Sequence, residues 1–304
     1  MGCGVKAADT GFELASWSGR HLDAVEEALA RWVVVEAPAG LGEAMRYAVL
    51  DGGKRLRPLL VLAACEAVGG NPQAALRAAC AVELIHAYSL VHDDMPCMDN
   101  DVMRRGKPTV HVAFGQARAL LAGDALQALA FELLTPVDPE IPADIQARLC
   151  RLLARAAGHE GMAGGQAIDL ASVGLVIDPE QLQHMHRLKT GALLQGSVMM
   201  GAACGEAAPQ AAAALARYGG AVGLAFQVVD DILDVTGDSA TLGKTAGKDA
   251  AADKPTYVSL LGLEASRAHA RTLLEQALQA LAGSGLPDAV ALRALAMMVV
   301  ERDN

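Results

Sequence analysis

Residues 73–101 read QAALRAACAVELIHAYSLVHDDMPCMDND. Up to residue 94 the stretch holds no Pro or Gly and is dominated by Ala, Leu and Val, and Pro96 stops it. It predicts one long helix over 73–94 that ends in Asp93 and Asp94. Carboxylates favour a helix N-terminus, where the macrodipole stabilises negative charge. Two of them at the opposite end, after the apolar run YSLV, are awkward unless a cation neutralises them. A solvated acidic helix end is the plain alternative, and this placement argues against it. Asp99 and Asp101 follow just beyond Pro96. The loop is no EF-hand, because it lacks that motif's glycine and closing glutamate.

Beyond this stretch, helical spacing recurs along the chain. An amphipathic helix is predicted over 20–35, with Leu22, Val25, Leu29 and Trp32 on one face. Further helices are expected at 41–50, 58–68, 109–115, 117–134, 143–165, 179–204, 208–236, 256–283 and 287–302. Pro- and Gly-bearing segments such as DGGKRLRP, GGNP and TPVDPEIP separate them. There is no alternation of strands with helices and no Asn-Gly or Asp-Gly hairpin signal. The 304 residues could make one large domain or a pair of smaller ones. No linker long enough to separate a pair of domains is visible. The expected fold is all-α, one domain over residues 1–304.

Hydrophobic residues make up 53% of the chain and aromatics 3%, so the core is mostly Ala, Leu and Val. The net charge of −10 argues against nucleic acid or an anionic membrane surface as the main partner. The six cysteines form no C-x-x-C pair and no zinc spacing. Free, mostly buried thiols in a reducing cytosol are expected. The start, MGCGVKAADT, has no apolar signal core, and Lys6 stands where a myristoylation signal wants Ser or Thr. No apolar run reaches the roughly 18 residues of a membrane span. A soluble, cytoplasmic protein is expected.

A second acidic stretch is FQVVDDILDVTGD, residues 226–238. Asp230 and Asp234 are four apart and share a helix face, and Gln227 lies three before Asp230. Like charges at this spacing destabilise a helix unless something positive sits between them. Oxygen-only ligands suit Mg2+, which one or two carboxylates hold while phosphate oxygens and water complete its shell. Two such clusters facing across a cavity would bind a metal–diphosphate complex.

Basic residues stand near both clusters. GGKRLRP sets Lys54, Arg55 and Arg57 beside two glycines that permit close backbone approach. It is not a P-loop. RRGKPT places Arg104 and Arg105 side by side, so their side chains should diverge and could serve two anions. KTG puts Lys189 and Thr190 within a helix, and Lys244, Lys248 and Lys254 follow the second aspartates. These groups suit ionisation of an allylic diphosphate: cations stabilise the leaving group, and an apolar pocket keeps water from the carbocation. Lys189, Thr190 and Gln227 could turn dipoles or lone pairs towards that cation.

Together GGKRLRP, YSLVHDDMPCMDND, RRGKPT, GDALQALAF, KTGALL, FQVVDDILDVTGD and LGKTAGKD resemble the trans-isoprenyl diphosphate synthases, most of all the bacterial farnesyl diphosphate synthases. The match runs in order from about residue 44 to 270. The resemblance implies an isoprenoid-synthase fold, helices around a central cavity, in a homodimer. It implies condensation of isopentenyl diphosphate with dimethylallyl and then geranyl diphosphate, with three Mg2+ ions bridging the allylic diphosphate to the aspartates. Asp93, Asp99 and Asp230 would be direct ligands, and Asp94, Asp231 and Asp234 would assist directly or through water. Arg104, Lys189, Lys244 and Lys254 would clamp the allylic diphosphate. Lys54, Arg57, His86 and Arg105 would form the isopentenyl site. No protein base is implied, since the released diphosphate is thought to take the final proton.

Tyr88 lies five residues before Asp93, about 7 Å along the helix axis. A ring there can close the pocket early, and with Ser89 it would set chain length. Four residues separate Asp94 from Asp99, as in bacterial farnesyl synthases. A geranylgeranyl or geranyl diphosphate synthase is the alternative. A terpene cyclase would need an Asn/Ser/Glu triad in place of the second cluster, and a non-catalytic partner subunit should have lost aspartates. One departure stands: members often finish with basic residues that close over the isopentenyl site. Here the last residues are ERDN, with Arg302 the one cation, so closure is left open.

Overall fold

The computed structural model describes residues 11–50, 52–137, 141–175, 177–236 and 255–302. Among these residues the chain is helical apart from one short hairpin. The helices are α1 (Leu14–Trp32), α2 (Leu41–Val49), α3 (Leu56–Ala67), α4 (Pro72–Asp93), α5 (Val110–Phe114), α6 (Gln116–Leu134) and α7 (Ala143–Ala157). They continue with α8 (Met162–Ala171), α9 (Pro179–His186), α10 (Ala192–Ala203), α11 (Pro209–Thr236), α12 (Tyr257–Leu261), α13 (Leu263–Ala282) and α14 (Val290–Glu301).

The helix predicted over 73–94 is α4. Asn71 caps it, its Oδ1 accepting from the Gln73 and Ala74 backbone N–H groups at 2.9 and 3.0 Å, and Pro72 fills the first position. The segment GGNP therefore both ends one helix and starts the next. α4 has alanines on most sides and packs against α3 and α6. α11 packs against α10 and α13 in the same way. Both helices are long and apolar enough, by length and composition, to cross a membrane, although no apolar run of that length was expected. They are core helices here, with 72% of the most apolar window of α4 and 56% of that of α11 buried in the fold.

Three predicted helices are broken by features with clear local causes. The 143–165 helix splits into α7 and α8 at Gly158 and Gly161. A Cβ on Gly161 would lie 2.2 Å from the Ala156 carbonyl oxygen, so only glycine allows the chain to double back there. The 179–204 helix is interrupted by a π-helical turn, Arg187–Gly191, between α9 and α10. The 256–283 helix breaks at Gly262, whose φ is 83°. α1 starts six residues before its predicted beginning, and Trp17 in that added turn is buried. The hairpin was not expected. Met103–Arg104 pairs with Lys107–Pro108 across Arg105 and Gly106, at φ 51° and 76°. Two positive φ values make the primed turn that matches strand twist, here without the usual Asn-Gly or Asp-Gly.

Candidate active site

Asp93 at the end of α4 and Asp230 on α11 open onto one hollow of about 540 Å³. The structure thus meets the condition on which the sequence reading depends. Burial pushes the Asp93 carboxyl up to about 6, and the charges of Asp99 and Asp94 push the same way against Lys189 and Arg104. Asp99 is brought beside Asp93, its backbone N–H donating to the Asp93 carbonyl at 2.8 Å.

The other aspartates hold the frame. Arg104 grips Asp94 through two nitrogens, Nη2 to Oδ1 at 2.7 Å and Nε to Oδ2 at 2.9 Å. Asp94 is buried and fixes the hairpin against α4. Asp231, also buried, accepts from Gln227 Nε2 at 2.9 Å and from the Tyr257 backbone N–H at 2.8 Å. Asp234 is buried one turn further along α11. Asp94, Asp99, Asp231, Asp234 and Gln227 are not among the residues that line the hollow. Among the described residues, no three acidic, His or Cys side chains converge closely enough to hold a metal ion alone.

The π turn presents Lys189 and Thr190 to the hollow. Such a turn adds a residue to a helical repeat and is often found at functional sites. Gly165 of α8 lets it approach, since a Cβ there would sit 2.1 Å from the Lys189 backbone nitrogen. Lys189 Nζ bonds Asp169 Oδ2 at 2.5 Å. The Thr190 hydroxyl donates to Gln227 Oε1 at 2.8 Å, which leaves its lone pairs for the hollow.

The cations divide by direction. Arg57, Arg104 and Arg105 all line the hollow, and Arg105 donates to the Gly52 carbonyl at 2.8 Å. Gly53 leaves room for that guanidinium, since a Cβ would meet Arg105 Nη1 at 3.0 Å. Arg104 and Arg105 thus take different partners, Asp94 and the Gly52 carbonyl, while both reach the same hollow. Arg55 turns inward, away from the site: it pairs with Glu26 at 2.6 Å and with buried Glu83 at 2.8 Å. His86 also faces the hollow, and burial together with the charge of Arg57 drives its pKa well below the usual value, so the ring is neutral. Lys54 is exposed but close enough to Arg302 and Asp230 to feel both charges. Tyr88 and Ser89 line the hollow along α4. Tyr88 stands edge-on to His92, ring centroids 5.7 Å apart. Lys244, Lys248 and Lys254 lie outside the described residues.

Sequence reasoning missed α8. Gln166 faces the hollow with both amide atoms buried and without a hydrogen-bond partner among the described residues. Such a group costs about 1–3 kcal/mol, a penalty that a polar ligand would relieve. Two polar residues three apart, Gln166 and Asp169, in an otherwise Ala-, Gly- and Met-rich helix were the available signal. Arg302 is the second surprise. Its Nη2 reaches Asp230 Oδ1 at 2.6 Å.

An all-α frame with two acidic helix ends around a cation-lined, partly apolar hollow defines a prenyltransferase of the isoprenoid-synthase fold. A sequence profile of the polyprenyl synthetase family matches residues 38–286, and the chain belongs to that family. It is 51% identical over 276 residues to a probable farnesyl diphosphate synthase of Sinorhizobium fredii, covering 88% of this chain and 82% of that protein. It is 46% identical to a chloroplastic geranylgeranyl pyrophosphate synthase of Catharanthus roseus, covering 98% and 84%. Among solved structures, a Zymomonas mobilis FPP/GFPP synthase superposes with a TM-score of 0.83 at 43% identity, covering 94% of this chain and 98% of that one. A Helicobacter pylori geranyltransferase complexed with magnesium and isoprenyl diphosphate gives 0.82 at 33%, covering 97% and 98%.

Proposed function

We propose that this prenyltransferase condenses isopentenyl diphosphate with dimethylallyl and then geranyl diphosphate, releasing farnesyl diphosphate. The observation that carries the reading is Asp93 and Asp230 opening onto one hollow beside Arg57, Arg105 and Lys189.

The residues fit Mg2+. The donors are carboxylate oxygens, the ligand type that Mg2+ prefers, with Asp93 and Asp230 opening onto the same hollow. Asp93, Asp99 and Asp230 would hold the ions, three with an allylic diphosphate bound. Asp94, Asp231 and Asp234 would support them from behind. That no three ligands converge without substrate among the described residues suits a metal whose shell is completed by phosphate and water. When bound, the metal supplies positive charge for the leaving diphosphate.

The chain's own residues do the rest. Lys189 adds charge to the allylic diphosphate, oriented by Asp169. Arg57 and Arg105, with Lys54 at the rim, hold isopentenyl diphosphate, and neutral His86 can donate a hydrogen bond to it without adding repulsion against the arginines. Thr190 and Gln227, fixed by their mutual bond, turn lone pairs towards the developing carbocation. Met162, Leu170 and Phe226 give the hollow apolar wall that keeps water away. Arg104, which also lines the hollow, and Lys244 and Lys254 belong to the same proposed clamp.

Tyr88 supports a fifteen-carbon product, because its ring lies on the wall beside the path of the growing tail. The geranylgeranyl relatives favour twenty carbons instead. Incubation with isopentenyl diphosphate and each primer in turn, with product length measured, tests this. A cyclised product, or no dependence on isopentenyl diphosphate, would defeat the reading. We place the protein in the cytoplasm as a homodimer. Val112 of α5 and Leu120 and Leu121 of α6 support the dimer, since they leave an apolar face 46–55% exposed.

A further inference from the structure

Arg302, the residue after α14, spends one nitrogen on two acceptors. Its Nη2 lies 2.6 Å from Asp230 Oδ1 and 2.8 Å from the Phe226 carbonyl oxygen. The guanidinium carbon sits 4.0 Å from the centroid of the Phe226 ring. The side chain is only 10% exposed, against 38% for Asp230. Its Nε is buried and without a hydrogen-bond partner among the described residues. Lys54 stands close enough that Arg302 lowers its pKa while Asp230 raises it. Arg302 is thus the protein cation in contact with this carboxylate, with Lys54 near enough to feel it.

We propose that Arg302 is a positioning residue that occupies Asp230 in the metal-free enzyme and must release it when a divalent cation binds there. The inference rests on Asp230 being a metal ligand. An arginine and a metal ion compete at Oδ1, because both are positive and Arg302 already takes one of its lone-pair directions at 2.6 Å. A metal arriving on Asp230 adds charge beside Arg302 and Lys54 together, which drives the guanidinium off. Metal loading and the placement of the Arg302 side chain are therefore linked. By thermodynamic reciprocity, anything that holds Arg302 elsewhere tightens metal binding. The Phe226 contacts keep Arg302 near the site, so release needs only a side-chain movement.

The test titrates the full chain, without substrate, with Mn2+ and follows the EPR signal of the free ion. Arg302→Gln is expected to bind Mn2+ about fivefold tighter than wild type, the factor that corresponds to an ion pair of about 1 kcal/mol. Arg302→Lys keeps the charge and should stay near wild type, which separates charge competition from loss of packing. Asp230→Asn should weaken binding, and adding Arg302→Gln to it should then change nothing. If Asp230→Asn weakens binding but Arg302→Gln does not tighten it, Arg302 is not a competitor and the proposal fails alone. If Asp230→Asn binds Mn2+ as wild type does, the metal role of Asp230 fails and takes the proposal with it.

Discussion

Asp93 carries a buried carboxyl whose pKa stands at about 6. For an acid raised on folding, the folded state binds more protons than the unfolded one. Stability contributed by this group is therefore lost as pH rises from the unfolded value near 4 through about 6. Asp93→Asn should raise the thermal midpoint of the metal-free protein at pH 8 by on the order of 2–4 °C. The gain should vanish near pH 4, and differential scanning calorimetry at both pH values would show it. Turnover should respond oppositely. Asp93→Ala or Asp230→Ala should lower kcat by about a thousandfold with the helical circular dichroism unchanged, as expected for groups that act only through charge on the leaving diphosphate. Near wild-type rates in either variant would remove the metal role. Tyr88→Ala should yield products longer than fifteen carbons, read by chromatography of the dephosphorylated alcohols. Residue by residue, the aspartates were legible because their placement violates helix electrostatics. Gln166 was not legible, because a single amide in a helix gives no pattern until its neighbours are known.

Among the elements, α3 sorts a run of cations by direction. Arg55 adopts a left-handed conformation, φ 44°, at the start of the helix and points into the core. Arg57, two residues on, faces the hollow. The sequence showed three neighbouring cations but not which would turn inward, since that depends on Glu26 of α1 and Glu83 of α4. Arg55→Ala should lower stability by about 3 kcal/mol by stranding buried Glu83, and urea denaturation would measure it. Arg57→Ala should leave stability nearly unchanged and raise KM for isopentenyl diphosphate. Helix positions were read well because Ala, Leu and Pro act locally. The breaks at Gly158–Gly161 and Gly262, and the π turn at Arg187–Gly191, were read as continuous helix, because glycine within a helical pattern is tolerated until packing demands a bend.

Across the molecule as a whole, an exposed apolar face remains on α5 and α6. Leu121→Asp should halve the particle mass in sedimentation equilibrium while leaving the helical content intact. An unchanged mass would place the dimer contact elsewhere. Part of this face, Leu120 and Leu121, lies on α6, the helix that packs against α4 and its Tyr88. The all-α class, the family and the residue types of the two acidic clusters follow from the chain's sequence alone, because helix propensity, proline stops and the spacing of like charges are local properties. That Asp93 and Asp230 share a hollow while Asp94 and Asp231 hold the frame follows only from the packed fold. Packing alone put Arg302 on Asp230, 72 residues away in the chain. Those partnerships depend on how distant helices meet, and nothing in the local sequence fixes that distance.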